Sequence, residues 1–162
     1  MTILVRQALI KDKHSSHFNT VKDILISNGV ITEIGDSIKT KADEILDAKG
    51  KSVTPGWVDI FTVGTDPGFE FKDDLRSLSN SAAAGGFTHV FVSPNTNPVT
   101  QSKTGIDYII NSSKELHCSI HPIGAVTKNT EGKELTEMFD MHAAGAIAFG
   151  DGTKSIQSAR VR

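Results

Sequence analysis

Three short runs carry the side chains with most to offer chemically. The first is Asp59-Ile60-Phe61-Thr62-Val63-Gly64-Thr65-Asp66-Pro67-Gly68, the second Ser93-Pro94-Asn95-Thr96-Asn97-Pro98, and the third Ala148-Phe149-Gly150-Asp151-Gly152-Thr153. A hydrolytic metal site needs lone-pair donors such as imidazole or carboxylate. Phe61 and Val63 have none, so they cannot help generate a metal-bound water of lowered pKa. As apolar side chains at a strand end they suit packing instead. Asn95 can offer its carboxamide to a ligand, or to its own backbone as a turn residue. Asp151 is the carboxylate of the third run and is followed by Gly152. A lone carboxylate does not make a catalytic metal centre.

The remaining donors are dispersed. His14 and His17 share a polar loop and form a weak metal pattern without further ligands. His89 lies early in a strand pattern, His117 at a helix end, His121 early in a strand and His142 on a helix. Surface or packing roles account for all six histidines. Cys118 has no base partner in the sequence and reads as a small buried residue. Lys128 could attract an anion but reads as a solvated lysine. Ala84-Gly85-Gly86 reads as a helix stop, not a phosphate loop.

These runs must be positioned by the elements around them. The first 55 residues read as β structure. Apolar runs at 2–10, 23–27 and 30–34 surround Asn28-Gly29, the strongest short hairpin signal, because a type I′ turn needs positive φ at both central residues. Runs at 45–48 and 52–54 complete a small sheet, and Pro55-Gly56 punctuates the boundary. Beyond it, strand and helix alternate. Strands are predicted over 57–61, 88–93, 119–126 and 146–149, and helices over 72–85, 103–116 and 134–144. Asp73 and Asp74 suit the positive N-terminal end of the first helix. Such alternation implies a parallel sheet. The expected architecture is α/β: a small β-sandwich-type domain over 1–55, then about four βα units over 56–162, part of a barrel.

At 162 residues the chain can bury a good core, but a complete (β/α)8 barrel usually needs about 250 residues. The net charge of −2 comes from mixed acidic and basic residues, with no basic block to suggest nucleic acid. One cysteine excludes a disulfide framework and fits a reducing cytosol. No signal-peptide core is visible in MTILVRQALIKDK, and no run reaches the roughly 18 apolar residues of a membrane span. A cytoplasmic protein is expected.

The stretch VTPGWVDIFTVGTDPGFEFKDDLRSLSNSAAAGGFTHVFVSPNTNP, residues 53–98, resembles the dihydroorotases, cyclic amidohydrolases of pyrimidine synthesis. Their first barrel strand ends in Asp-x-His-x-His-x-Arg-x-Pro-Gly. Here Asp59, Pro67 and Gly68 keep the frame. Phe61 and Val63 stand where the metal-binding histidines belong, and Thr65 where the substrate-binding arginine belongs. Ser93-Pro94-Asn95-Thr96-Asn97-Pro98 resembles Met-Pro-Asn-Thr-x-Pro, whose Asn contacts the substrate carboxylate, so the resemblance gives Asn95 that role. The resemblance continues over 123–159. Against Phe-Ser/Thr-Asp-Asp-Gly, an ungapped match leaves Asp151 and puts Gly152 in the second Asp position. Which Asp is the family's metal ligand stays open.

The resemblance implies a barrel fold and a family that uses zinc, is cytoplasmic and is often oligomeric. Some members act beside aspartate transcarbamoylase, and inactive relatives serve as structural partners. The departures at Phe61, Val63, Thr65 and Gly152 fall on the chemistry. The leading expectation is therefore a pseudoenzyme: no catalytic residue, no metal ligand set, no cofactor, and a binding or assembly role. The alternatives are an active cyclic amide hydrolase with a non-standard site or with residues beyond Arg162, and a small-molecule sensor using Asn95. Four parallel strands leave raw edges. The expected partners are the remainder of a longer polypeptide, a second copy, or aspartate transcarbamoylase. Gln157-Ser158-Ala159-Arg160-Val161-Arg162 is expected to lead into a further barrel helix.

Overall fold

β1 (Thr2–Ile10) is the hub of the first of two units, Met1–Pro55, in the computed structural model, which describes residues 1–157. It pairs antiparallel with β2 (Val21–Ser27) and parallel with β4 (Glu44–Asp47) and β5 (Ser52–Val53). β3 (Val30–Gly35) joins the outer side of β2 through the expected hairpin. Asn28 and Gly29 take φ of 50° and 79°, as the two-residue turn requires. Leu4, Leu25 and Ile38 form one buried cluster, and Ala8, Ile10 and Ile24 another.

A buried carboxylate ties this unit together. The pairing of β1 with β2 slips between Val5 and Ala8. Asp23 fills the gap: it accepts hydrogen bonds from the Gln7 amide (3.0 Å), the Ile38 amide (3.1 Å) and Arg6 Nη1 (2.5 Å) while only 3% exposed. Burial alone raises its pKa. The two amide hydrogen bonds and Arg6 outweigh burial and hold it below the ordinary carboxylate value. A depressed folded-state pKa stabilises the fold above the unfolded-state value of about 4, and that stability is lost as pH falls through the folded value. Asp23→Ala should cost about 2–4 kcal/mol, because two buried amides lose their acceptor while Arg6 can return to water. Chemical denaturation of the full chain measures this. The acid-side fall in stability should shrink in Asp23→Asn.

The second unit begins at Gly56. β6 (Trp57–Thr62), β7 (Phe87–Val92), β8 (Ser119–Gly124) and β9 (Ala148–Phe149) form a parallel sheet in chain order. Between them run α1 (Leu75–Ala84), α2 (Lys103–Ser113) and α3 (Met138–Ala143). Leu75, Ala82, Val90, Val92, Ile109, Cys118 and Ile120 make the main core of this unit, and Ile106, Met141 and Ala146 a second cluster. Burial pushes the Cys118 thiol pKa up, in keeping with an inert packing role.

Element boundaries move in several places. The helix expected over 72–85 starts at Leu75 because the Asp74 side chain caps it, accepting from the Ser77 amide at 2.7 Å. The helix expected over 103–116 ends at Ser113, whose hydroxyl donates back to the Ile109 carbonyl at 2.7 Å. The helix expected over 134–144 starts only at Met138. Its proposed first residues are taken by backbone pairing: the Lys128 amide donates to Glu134 O (2.8 Å) and the Thr136 amide to Val126 O (3.0 Å). That pairing also ends the third barrel strand at Gly124 instead of residue 126. The fourth strand contracts from 146–149 to Ala148–Phe149. From Ser158 onward, the expected lead into a further barrel helix lies outside the described residues.

Candidate functional site

The C-terminal ends of β6 to β9 bring the three sequence runs together. At the end of β6, Phe61 and Val63 are 43% and 58% exposed. Asp59 is turned onto its own strand, accepting from the Phe61 amide (3.0 Å) and Thr62 Oγ1 (2.6 Å). Thr65 Oγ1 donates to the Asp73 carbonyl at 2.5 Å and closes the loop between β6 and α1. Asp66 is buried and accepts from Tyr108 Oη (2.7 Å) and the Leu75 amide (3.3 Å). That hydrogen bond to Asp66, with partial burial, raises the Tyr108 pKa. The Asn97 amide donates to Pro67 O at 2.9 Å, which joins this loop to the one after β7.

Asn95 and Asp151 meet across the loops after β7 and β9. Asn95 Nδ2 donates to the Asp151 carbonyl at 3.3 Å, and Asn95 Oδ1 accepts from the Thr153 amide at 3.1 Å. The carboxamide therefore spans two loops instead of capping its own turn. The Asp151 side chain is 5% exposed and faces the loop after β8. Oδ1 accepts from the Val126 and Thr127 amides, both at 2.9 Å, and Oδ2 accepts from Thr127 Oγ1. Gly152 has φ of 64° and sits against Asn95. At the end of β7, Ser93 Oγ is buried without a hydrogen-bond partner among the described residues.

The model of the Dihydro-orotase-like family matches residues 50–162. The chain belongs to the dihydroorotase-like family. It is 42% identical over 155 residues to the dihydroorotase of Acetivibrio thermocellus, covering 93% of this chain and 36% of that protein. It is 36% identical over 162 residues to the dihydroorotase of Aquifex aeolicus, covering 99% of this chain and 38% of that one. The chain thus spans a little over a third of the length of these relatives. The L-hydantoinase (dihydropyrimidinase) of Arthrobacter aurescens superposes with a TM-score of 0.70 at 27% identity, over 91% of this chain and 32% of that one. A dihydroorotase crystal structure superposes at 0.57 and 17% identity, over 91% of this chain and 41% of that one, which supports the fold alone. The parallel sheet of the second unit is accordingly part of an amidohydrolase-type (β/α) barrel.

The side chains present do not fit the zinc that the dihydroorotase family implies. Phe61 and Val63 at the end of β6 offer phenyl and isopropyl groups without lone pairs, and both Asp151 oxygens already accept protein hydrogen bonds. The orphaned Ser93 hydroxyl is a single neutral oxygen and a poor substitute for an imidazole. Among the described residues no three His, Cys, Asp or Glu side chains gather to hold a metal ion. Two histidines do meet, unforeseen from the sequence: His89 Nδ1 lies 2.9 Å from His121 Nε2. Partial burial and the neighbouring His89 lower the His121 pKa. Both lie in the first half of their strands, away from the loops that hold Asn95 and Asp151. Only the register of β7 against β8 reveals the pair.

Proposed function

We propose that this chain is a dihydroorotase-like protein of the pyrimidine-biosynthesis type that has lost hydrolysis and keeps a binding or assembly role. The observation that carries this reading is the donor set. The β6 end presents carbon where the family has two imidazoles, and Thr65, in place of the arginine, spends its hydroxyl on Asp73. Positioning an anionic substrate and polarising an amide each need groups this arrangement lacks. The proposed setting is the cytoplasm, and among the described residues no helix is long and apolar enough to cross a membrane. The proposed partners are further polypeptide of the same protein, a second copy, or a transcarbamoylase.

The test uses the purified full chain, loaded with zinc, freed of excess metal and analysed for metal content. Dihydroorotate ring opening and N-carbamoyl-aspartate ring closure are then assayed. The expected result is no near-stoichiometric zinc beside Phe61 and Val63 and no turnover in either direction. Zinc bound there, or turnover that disappears in Asn95→Ala, would overturn the reading.

A further inference from the structure

Gly152 and Asn95 occupy one space. A Cβ on Gly152 would lie 1.7 Å from Asn95 Oδ1 and 2.6 Å from Asn95 Cγ. The carboxamide can hold the Asp151 carbonyl and the Thr153 amide only because residue 152 has no side chain. The φ of 64° at Gly152 brings the Thr153 amide round to face it. Next to it, the Asp151 carboxylate holds the Val126 and Thr127 amides, and Thr127 Oγ1 accepts from the Gly132 amide at 2.8 Å. Gln101, before α2, exchanges hydrogen bonds with Asn129: Gln101 Nε2 donates to Asn129 Oδ1 (3.2 Å), and the Asn129 amide donates to Gln101 Oε1 (2.5 Å). The loops after β7, β8 and β9 are thus laced into one body at the end of the sheet where a barrel enzyme would work.

We infer that Asn95 and Gly152 form a latch that fixes the loops after β7 and β9, with Gly152 as its enabling residue and the Asn95 carboxamide withdrawn from any ligand. The two positions act as a unit. Any side chain at 152 is incompatible with Asn95 in its present position. The glycine leaves the Asn95 carboxamide free to reach the Asp151 carbonyl and the Thr153 amide. This inference goes beyond the loss of hydrolysis and does not depend on it, since it is read by neither zinc nor turnover.

The test is residue-resolved hydrogen exchange on the full chain in whatever assembly it purifies, with a mutant cycle. In Asn95→Ala, exchange at the Thr153 amide should rise on the order of tenfold, the loss of one modest hydrogen bond. Gly152→Ala should raise exchange at Thr153 and across 95–97, and this increment should largely vanish when Gly152→Ala is made in the Asn95→Gly background. The Val90 and Val92 amides in the core of β7 report global unfolding. Where Gly152→Ala unfolds the protein in the Asn95 background, its rescue by Asn95→Gly still supports the latch. Unchanged exchange at Thr153 in Asn95→Ala would overturn it. So would a Gly152→Ala effect, or an unfolding, of the same size with and without the Asn95 carboxamide, because that reports backbone strain at residue 152 alone.

Discussion

At micromolar concentration the 162-residue chain should sediment as an assembly, with little or no monomer. The reason lies in β6. A parallel strand is normally buried on both faces, yet Trp57, Val58, Ile60 and Phe61 are all exposed, Ile60 to 74%. Among the described residues β6 and β9 are the two ends of the sheet, each paired on one side only. At the β9 end, Phe139 of α3 is 91% exposed beside an apolar cleft lined by Met138, His142 and Phe149. Each large apolar side chain left in water forgoes roughly 1.5–3 kcal/mol, and a domain has only about 5–15 kcal/mol of total stability. A handful of such exposures removes the margin. Covering them with another chain, or with more of the same one, restores it. Sedimentation velocity combined with denaturant titration checks this. A monomer that unfolds cooperatively at micromolar concentration would show that the open sheet holds its own core. If the covering surface is a second copy, Ile60→Lys should shift the distribution toward smaller species or aggregation.

Local chemistry made much of the fold legible. Asn28-Gly29 announces its hairpin because few residue pairs accept two positive φ angles. The apolar spacing of Ile106, Ile109 and Ile110 announces α2, and the alternation of short apolar runs with such helices announces a parallel sheet. What escaped depends on contacts remote in sequence. The first residues expected in α3 have acceptable helix propensity, but they pair with 126–128, and tertiary pairing overrides a weak local preference. His89 and His121 meet only because the register sets Phe91 opposite His121 and His89 opposite Ser119. Asn95 and Asp151 are 56 residues apart, and no local pattern joins them. At the candidate site, the lack of donor atoms at Phe61 and Val63 could be read directly, since a side chain without lone pairs is visible in any sequence. The hydrogen bonds of Asn95, Asp151 and Thr65 could not, because hydrogen bonding is a property of the folded loops.

The Pro67-Gly68 turn is held by such folded-loop contacts too, and Gly68→Ala tests it. A Cβ at Gly68 would lie 1.9 Å from the Asn97 carbonyl oxygen and 2.7 Å from its carbonyl carbon. Both obstacles are backbone, so no rotamer change relieves them. Gly68 also has φ of 99°, a region that an L side chain rarely adopts. The Asn97 amide bonds the Pro67 carbonyl, so moving Asn97 away breaks the junction between the loops after β6 and β7. Asp66, whose carboxylate holds Tyr108 and the start of α1, is two residues away and would be dragged with it. Gly68→Ala should therefore cost about 3 kcal/mol or more, at the severe end of single substitutions. Gly29→Ala provides the internal comparison. Gly29 has φ of 79° but nothing within 4 Å of its added Cβ, so it should lose only about 1 kcal/mol, the conformational term alone. Denaturation of the two variants of the full chain separates the terms. Equal losses would mean that the Pro67-Gly68 frame is held by turn conformation only. A clearly larger loss at Gly68 would show that the Pro67-Gly68 turn is fixed because two loops are built against it.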